Sequence, residues 1–230
     1  MESKAYEYMD WPRIEAVVYG EEASPKDVMA PRLTTDGVLI QGFFPEADKA
    51  EVLAGSRKYE MEQEDEAGYF AAMIPGRKIP DYKYRVTKGE ETKEFADPYA
   101  FSGQITEAEE KAFCAGVYYH AYEKLGAHPM EINGVKGTSF AVWAPNAMRV
   151  SVVGDFNAWD GRCHAMHRMP MSGIFELFIP GVKAGDIYKY ELKLKGNRIE
   201  LKSDPYAACT EVPPANASVV ADTSVFQWED

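Results

Sequence analysis

An internal repeat constrains the fold of this chain more than any other feature of its sequence. Residues 37–52 read GVLIQGFFPEADKAEV and residues 137–152 read GTSFAVWAPNAMRVSV, with their glycine, proline and valine landmarks offset by 100 positions. Further along, Tyr-Lys-Tyr and Asp-Pro-Tyr-Ala each occur in both halves, at offsets of 106 and 107. The offset grows only between these blocks, where loops tolerate insertions. The repeat therefore predicts two tandem copies of one domain.

Each copy contains short runs with the two-residue alternation of apolar and polar side chains that is typical of β-strands. Turn residues such as Pro75-Gly76 and Pro180-Gly181 separate these runs at roughly ten-residue spacing. This pattern predicts an all-β fold of two tandem immunoglobulin-like antiparallel β-sandwiches. The predicted strands are 38–44, 50–53, 69–74 and 82–86 in the first copy, and 139–143, 149–153, 175–179 and 188–194 in the second.

A helix is predicted between the two copies. Thr106, with Glu109 three residues later, has the pattern of a capping box, and the apolar residues that follow fall roughly on one helical face. Gly116 lies inside this pattern, and the alternative is a helix that breaks there. We therefore expect a sandwich over residues 1–104, a helical linker over 105–124 and a second sandwich over 125–230.

Charge and composition argue against several kinds of partner. The chain has 37 acidic and 25 basic residues, and its net charge of −12 repels nucleic-acid phosphates and anionic lipid surfaces. No apolar run approaches the roughly 20 residues of a membrane span, and residues 1–11 lack the pattern of a secretory signal. The cysteines Cys114, Cys163 and Cys209 are too few for a disulfide framework. We expect a cytoplasmic protein that binds neither nucleic acid nor a membrane.

No motif for catalysis or for a cofactor stands out. Cys163, His164 and His167 have the residue types of metal ligands, but no second pair at zinc spacing accompanies them, which favours chance proximity. Motifs for a serine nucleophile or a phosphate-binding loop are absent, and the acidic runs fit a solvated surface. We therefore expect no catalytic residue, no metal ligand and no cofactor in this chain.

The segment 153–161, VGDFNAWDG, places a tryptophan in a loop between two predicted strands. An indole face packs well on the apolar face of a sugar ring, so Trp159 with Asn157 and Lys189 could form a sugar platform. The alternative, which is the commoner outcome for a large aromatic side chain, is that Trp159 folds back as a lid on its own sandwich.

Two other features favour structural roles. Trp143 lies inside a predicted strand, and we expect it in the core or in interdomain packing. The repeated Asp97-Pro98-Tyr99 and Asp204-Pro205-Tyr206 are expected to mark a structural corner, because proline fixes a turn and aspartate bonds nearby backbone amides.

Several ordered motifs of the second copy resemble the family 48 carbohydrate-binding module of bacterial 1,4-alpha-glucan branching enzymes. The resemblance extends over residues 105–230, and residues 10–104 resemble the extra N-terminal sandwich that many of these enzymes carry. The motifs are LGAHP at 125–129, FAVWAPNA at 140–147, VGDFN at 153–157, WDG at 159–161 and YKY at 188–190.

This resemblance implies a role in glycogen biosynthesis. The family cuts an alpha-1,4 glucan and rejoins the piece through an alpha-1,6 linkage with a glycoside hydrolase family 13 barrel, which this sequence lacks; Trp228 and Asp230 resemble the segment that enters the barrel. The implied partners are alpha-1,4-glucan, as glycogen or maltooligosaccharides, and the catalytic barrel of the parent chain. The chain is expected to be inactive alone and to belong to a glycosyltransferase. The alternative is a stand-alone glycogen-binding regulatory or scaffold protein.

The resemblance also implies the residues of a glucan site. Modules of this family that bind glucan carry an aromatic residue at the position of Trp159 and a lysine at that of Lys189, and Asn216 matches a polar contact. Leu201 stands where strongly binding relatives carry a second tryptophan, and the loss of one stacking face should weaken binding about tenfold. In the first copy, residues 55–59 replace the tryptophan loop, which implies a scaffold without a glucan site.

Overall fold

The structure of the protein is a computed structural model that describes residues 4–223, so Trp228 and Asp230 lie outside the described residues. The chain divides after Ala100 into two compact units. The described strands form four sheets, and neighbouring strands within them pair antiparallel. The predicted all-β, sandwich-like fold is therefore confirmed. No helix among the described residues is long and apolar enough to cross a bilayer.

The described part of the first unit, residues 4–100, contains two short α-helices and two four-stranded sheets. One sheet has the strand order β1-β2-β6-β5 and the other β4-β3-β7-β8. The four predicted strands correspond to β2, β3, β6 and β7, with ends that differ by no more than two residues. The elements are α1 (Trp11–Val18), α2 (Pro25–Met29), β1 (Arg32–Leu33), β2 (Val38–Phe43), β3 (Lys49–Ala54), β4 (Arg57–Glu60), β5 (Glu62–Asp65), β6 (Tyr69–Ile74), β7 (Tyr82–Lys88) and β8 (Glu91–Phe95).

The core of the first unit lies between its two sheets. Ile40 and Phe70 from one sheet and Val52 and Tyr84 from the other belong to a single buried cluster. Burying each such side chain contributes about 1.5–3 kcal/mol. Strand β2 is buried on both faces, because α2 covers its second face and the buried Gln41 donates a hydrogen bond of 2.7 Å to the carbonyl of Val28. The two sheets therefore form a sandwich, and one sheet also carries helical cover.

The described part of the second unit, residues 101–223, contains one α-helix and two further sheets. One sheet has the order β12-β13-β10-β9, and the other has the order β11-β14-β17-β16 with β15 added beside β14. The rings of Phe140 and Tyr188, from the two sheets, lie 5.0 Å apart in the core. The elements are α3 (Glu107–Cys114), β9 (Gly126–Ile132), β10 (Val135–Trp143), β11 (Arg149–Gly154), β12 (His167–Arg168), β13 (Ile174–Pro180), β14 (Ile187–Leu194), β15 (Arg198–Lys202), β16 (Cys209–Thr210) and β17 (Ser218–Val219).

Helix α3 begins at the predicted capping box and is fastened to the second unit. The side chain of Thr106 accepts from the amide of Glu109, whose carboxylate accepts from the amide of Thr106. The helix ends at Cys114, just before Gly116 with its φ of 74°, so it is shorter than predicted and the alternative of a break at Gly116 is the one observed. Glu110 accepts three hydrogen bonds from the backbone and side chain of residues 171–172. The predicted limits of the linker, 105–124, stay a prediction.

Both units contain the same hydrogen-bonded corner at their Asp-Pro-Tyr segments. In the first unit, Tyr82 and Tyr84 donate to Oδ2 of Asp97 at 2.5 and 2.9 Å, and Oδ1 accepts from the amide of Tyr99. The one hydroxyl hydrogen of Tyr84 is shared between Asp97 and the carbonyl of Gln41 in the opposite sheet, 2.6 Å away. The expected structural corner is confirmed, but the tyrosines that join the sheets come from the Tyr-Lys-Tyr strand. In the second unit the corresponding residues are Tyr188, Tyr190, Asp204 and Tyr206.

Trp143 is not a core residue, so the first of its two expected places is wrong, and interdomain packing stays a prediction. It is 54% exposed at the end of β10, its indole N–H donates to the carbonyl of Ser172, and its ring lies 5.9 Å from that of Phe113. Helix α3 ends one residue after Phe113, so it covers one edge of the indole and leaves the remainder in solvent.

Candidate functional site

A long loop over residues 155–166 joins β11 to β12 and covers the outer face of β11. The amide of Val152 donates to the carbonyl of His164 at 3.1 Å, and the amide of Met166 donates to the carbonyl of Val150 at 2.8 Å. These bonds pair the loop with the free edge of β11, and Arg149 bonds the carbonyl of Gly161 on the outer face, so all six residues of β11 are buried, including Ser151 on the face opposite the core. The loop is therefore attached to the sheet along its length and presents Trp159 from a fixed base.

Trp159 lies on a strained turn of this loop. Ala158 and Trp159 have φ angles of 53° and 60°, in the left-handed region that side chains other than glycine rarely adopt. Such a residue costs about 1–3 kcal/mol and persists only where its surroundings hold it. The backbone amide of Trp159 donates to the carbonyl of Gly154 at 3.0 Å, and its indole N–H donates to Oδ1 of Asp155 at 2.8 Å. Trp159 is partly exposed, and hydrogen bonds fix both its backbone amide and its indole N–H.

Asn157 shapes the loop through hydrogen bonds to other parts of the chain. Its Oδ1 accepts from the amide of Gly154 at 3.0 Å. Its Nδ2 donates to the carbonyl of Val152 and to Nδ1 of His164, each at 2.9 Å. Because both amide hydrogens are used within the protein, Asn157 orders the turn beside Trp159, and its predicted contact with a sugar stays a prediction.

Two of the three residues with the chemistry of metal ligands, Cys163 and His164, are neutral and largely buried. Burial lowers the pKa of His164 to about 4 and raises the pKa of the Cys163 thiol to about 12, so both are neutral at pH 7. The ring of His164 packs edge-on against Phe156 at 5.7 Å. Within residues 4–223, no group of three or more His, Cys, Asp or Glu side chains is placed to hold a metal ion.

Lys189 and Asn216 lie beside the base of the loop. In the β11–β14 ladder, Gly154 is opposite Tyr188 and Val153 is opposite Lys189. Since Tyr188 points into the core, Lys189 points to the outer face. Its ammonium donates a hydrogen bond of 2.5 Å to Oδ1 of the exposed Asn216. The fold thus brings the Trp159 loop, Lys189 and Asn216 to one end of the β11–β14 pair.

The edge strand β15 extends this outer face with aliphatic side chains. Leu201 is opposite Glu191 in the ladder with β14, on the same face as Lys189, and it is 51% exposed. Ile199, two residues earlier on the same strand, is also exposed. The position that the resemblance assigns to a second stacking aromatic is therefore accessible, and it presents a branched aliphatic side chain instead.

Sequence reasoning missed an ion pair beneath the loop. Arg149 is 2% exposed, and its Nη2 donates to Oε1 of Glu191 at 2.6 Å. Its Nη1 donates to the carbonyl of Gly161 and to the hydroxyl of Ser151. The alternation in β11 places Arg149 on the outer face of the sheet. A residue on that face is expected to be exposed to solvent, and only the structure shows that the loop covers it. Asp155, which accepts the hydrogen bond from the indole of Trp159, was also missed. Its position four residues before the tryptophan was only a weak sign of this contact.

Comparison with known families identifies the origin of both units. The profile described as "alpha-1,4-glucan branching enzyme GlgB, N-terminal domain" matches residues 10–99, and "Carbohydrate-binding module 48 (Isoamylase N-terminal domain)" matches residues 124–207. The chain belongs to the GlgB branching-enzyme family. It corresponds to the N-terminal region of that family, with the carbohydrate-binding module formed by the strands that carry the Trp159 loop.

Similar GlgB relatives agree with this assignment. The 1,4-alpha-glucan branching enzyme GlgB of Cereibacter sphaeroides is 42% identical over 99% of this chain and 32% of that relative. The protein of the same name from Synechococcus elongatus is 40% identical over 95% of this chain and 29% of its own length. The chain thus spans about a third of the length of these relatives. Among solved structures, the type I pullulanase of Bacillus subtilis complexed with maltose is 16% identical, with a TM-score of 0.39, covering 88% of this chain and 28% of that chain.

Proposed function

We propose that the second unit binds alpha-1,4-glucan through Trp159, Lys189 and Asn216, and that the chain serves as the glucan-binding and scaffolding part of a 1,4-alpha-glucan branching enzyme. The observation that carries this proposal is the partly exposed indole, held on a strained loop at the sheet end where Lys189 meets Asn216. The match to a carbohydrate-binding module supports the class of ligand.

The three side chains supply complementary interactions for a sugar. The indole face of Trp159 offers an apolar surface on which the ring of a glucose unit can stack. Lys189 has three N–H donors, of which one is directed at Asn216, and the exposed amide of Asn216 adds further donors and an acceptor. Their mutual hydrogen bond holds both side chains beside the loop, so ordering them on binding costs less conformational entropy.

Leu201 sets the expected strength of binding. A leucine side chain offers apolar contact but no flat aromatic face, so one stacking interaction is lost relative to a site with two aromatics. The loss of about 1–2 kcal/mol weakens binding roughly tenfold. We expect short maltooligosaccharides to bind weakly and longer glucans to gain from repeated contacts along the chain.

Calorimetric titration of maltoheptaose into the chain tests the proposal. We expect saturable binding by the wild type and binding weakened at least about tenfold in Trp159→Ala, since the stacking face is removed. Lys83→Ala is a control outside the site, because Lys83 has in the first Tyr-Lys-Tyr segment the place that Lys189 has in the second. This variant should bind as the wild type does. Circular dichroism establishes that all three are folded. No binding by the folded wild type at millimolar ligand would overturn the proposal.

We assign a scaffold role without a glucan site to the first unit. Where the second unit has its long loop, the first has a hairpin in which β3 leads through Gly55-Ser56 directly into β4. The corresponding face therefore lacks a loop that could present an aromatic side chain. Maltoheptaose titrated into a chain with Trp159→Ala should accordingly give no second saturable site.

The proposed partner of the second unit is the catalytic barrel of the branching enzyme, which would form alpha-1,6 branches in glycogen. Around α3, Val117, Trp143 and Met171 are about half exposed, and Phe113 lies against Trp143. Exposed apolar clusters of this kind are typical of surfaces that pack against another domain. Because the relatives are about three times as long, we favour this role over that of a stand-alone glycogen-binding regulatory protein. Amide hydrogen exchange tests this contact. We expect the amides of residues 113–122 to exchange faster in this chain than the amides at the matching positions of a full-length relative.

We also propose a cytoplasmic location. The three cysteines Cys114, Cys163 and Cys209 are free thiols, as expected for a protein of a reducing compartment. Fractionation of cells that produce the protein tests this location directly, and recovery in an oxidising compartment would contradict it.

A further inference from the structure

The ion pair beneath the Trp159 loop ties the sheet to the loop. Arg149 and Glu191 lie on the neighbouring strands β11 and β14, and their hydrogen bond of 2.6 Å is largely shielded from water. The second arm of the guanidinium donates to the carbonyl of Gly161, two residues after Trp159. A guanidinium suits this task, because its planar fork can donate in two fixed directions at once. The loop backbone is therefore anchored to the carboxylate through one side chain.

The packing at Gly161 reinforces this anchor. A Cβ atom added to Gly161 would lie 1.9 Å from Oε1 of Glu191, so the loop backbone rests directly on the carboxylate. The loop backbone at Gly161 is thus held by two interactions: its close contact with the carboxylate of Glu191 and the hydrogen bond from Arg149. Ala158 and Trp159 need such support, since their left-handed backbone is unfavourable without it.

The first unit shows what the outer face is like without a loop. Lys49 and Arg85 stand at the places of Arg149 and Glu191 in the repeat, and the Lys49 side chain is 46% exposed. Its partners are the carboxylates of Glu51, at 3.4 Å and partly buried, and of the exposed Glu60, at 3.5 Å. In this chain, the buried ion pair therefore accompanies the loop rather than the sheet.

We propose that Arg149 and Glu191 are positioning residues for glucan recognition: together they fix Gly161 and so hold the Trp159 indole where a sugar ring can stack on it. This inference rests on the proposed function of the site. Neither residue contacts glucan. Their effect is to order the loop before binding, so that less conformational entropy is lost when the sugar arrives.

The decisive variant is Arg149→Met/Glu191→Met, which removes both charges of the pair together, so that neither is left without the other. Lys49→Met/Arg85→Met is the matched control on the first unit. Two properties are measured: affinity for maltoheptaose by calorimetry, and hydrogen exchange of the Trp159 indole N–H by NMR without ligand. The Trp143 indole N–H, bonded to the carbonyl of Ser172 in the same unit but away from the loop, is the internal reference.

In the double variant we expect the Trp159 indole N–H to exchange faster relative to that of Trp143, and maltoheptaose to bind roughly tenfold more weakly, the size of effect that ordering a loop and its side chain has. The control variant should match the wild type in both properties. A folded double variant with unchanged Trp159 exchange, or with unchanged affinity, would overturn the proposal.

Two further measurements test the proposal if the double variant does not fold or if the wild type does not bind maltoheptaose. If the double variant does not fold, Glu191→Gln keeps the size and an acceptor but removes the charge, and unchanged Trp159 exchange in it contradicts the inference. If the wild type binds no maltoheptaose, the proposed function fails separately. The ligand-free exchange then still shows whether the pair positions Trp159, since faster exchange supports this role and unchanged exchange refutes it.

Discussion

The hydroxyl of Tyr84 donates a hydrogen bond of 2.9 Å to Oδ2 of Asp97 in the core of the first unit. Tyr82 donates to the same oxygen, so one buried carboxyl group receives two phenolic donors. Burial outweighs these hydrogen bonds and raises the pKa of Asp97 from 3.8 to about 6. The second unit repeats the arrangement, and burial likewise raises the pKa of Asp204. The repeated Tyr-Lys-Tyr and Asp-Pro-Tyr segments thus encode a shared structural element of the core.

This raised pKa predicts that Asp97 makes the first unit less stable as the pH rises. A carboxyl group that holds its proton more tightly when folded favours folding fully below about pH 4, and this contribution is lost between about pH 4 and 6. The gap of about two pKa units corresponds to roughly 3 kcal/mol. Asp97→Asn should remove this part of the pH dependence. Urea unfolding of both proteins from pH 4 to 7 measures it, and parallel curves would contradict the prediction.

His164 predicts the opposite dependence in the second unit. Burial lowers its pKa from 6.5 to about 4, so the folded state resists protonation while the unfolded state accepts it. The stability that comes from the neutral ring is present above pH 6.5 and is lost as the pH falls towards 4, by up to roughly 3 kcal/mol. His164→Asn keeps an acceptor for Asn157 and should flatten this slope. Thermal melts between pH 4 and 7 provide the measurement, and a wild-type slope in the variant would refute the assignment.

Glu110 should be the most important side chain for the attachment of α3. It is 1% exposed, and although burial acts to raise its pKa, hydrogen bonds from Ser172 and Met171 lower the pKa below its ordinary value. Glu110→Ala would leave buried backbone donors without an acceptor, and we expect a loss of roughly 3 kcal/mol in the free energy of unfolding. Glu107→Ala, on the same helix but exposed and paired with Lys111, should cost less than about 0.5 kcal/mol. Equal losses in urea unfolding would contradict the structure.

The central strands and the cap of α3 could be predicted because their signals are local. Alternation located β2, β3, β6 and β7 and their counterparts in the second unit, and Thr106 with Glu109 marked the start of the helix. Strand β9 was missed, since Gly126 and Pro129 interrupt its pattern. Helices α1 and α2 are only eight and five residues long, too short for a periodic signal.

The parts of the candidate site that sequence could not supply depend on tertiary cover. Arg149 and Ser151 alternate with valines in β11 as exposed residues would, and only the loop that packs over them makes them buried. For Trp143 the error has the opposite sign. Its place in a strand suggests burial, but α3 ends too early to cover it, so the side chain is exposed. In both cases the side-chain environment is set by a segment distant along the chain.

Gly161→Ala tests the contact between the loop and the ion pair from the backbone side. The added methyl group would lie 1.9 Å from Oε1 of Glu191, so either the loop or the carboxylate must move. We expect a loss of roughly 2 kcal/mol in the free energy of unfolding, as for other overpacked sites. Gly76→Ala is the control, because a methyl group there has ordinary contacts of 3.4 Å or more.

A double-mutant cycle decides whether the effect of Gly161→Ala acts through the carboxylate. In a Glu191→Ala background the three atoms nearest to the added methyl group are absent, so the same substitution should cost clearly less, giving an interaction energy above the roughly 0.5 kcal/mol error of such a cycle. Denaturant unfolding of the wild type, both single variants and the double variant measures the four corners. Additive losses would mean that the cost of Gly161→Ala does not arise at the carboxylate, and the steric explanation would then be wrong.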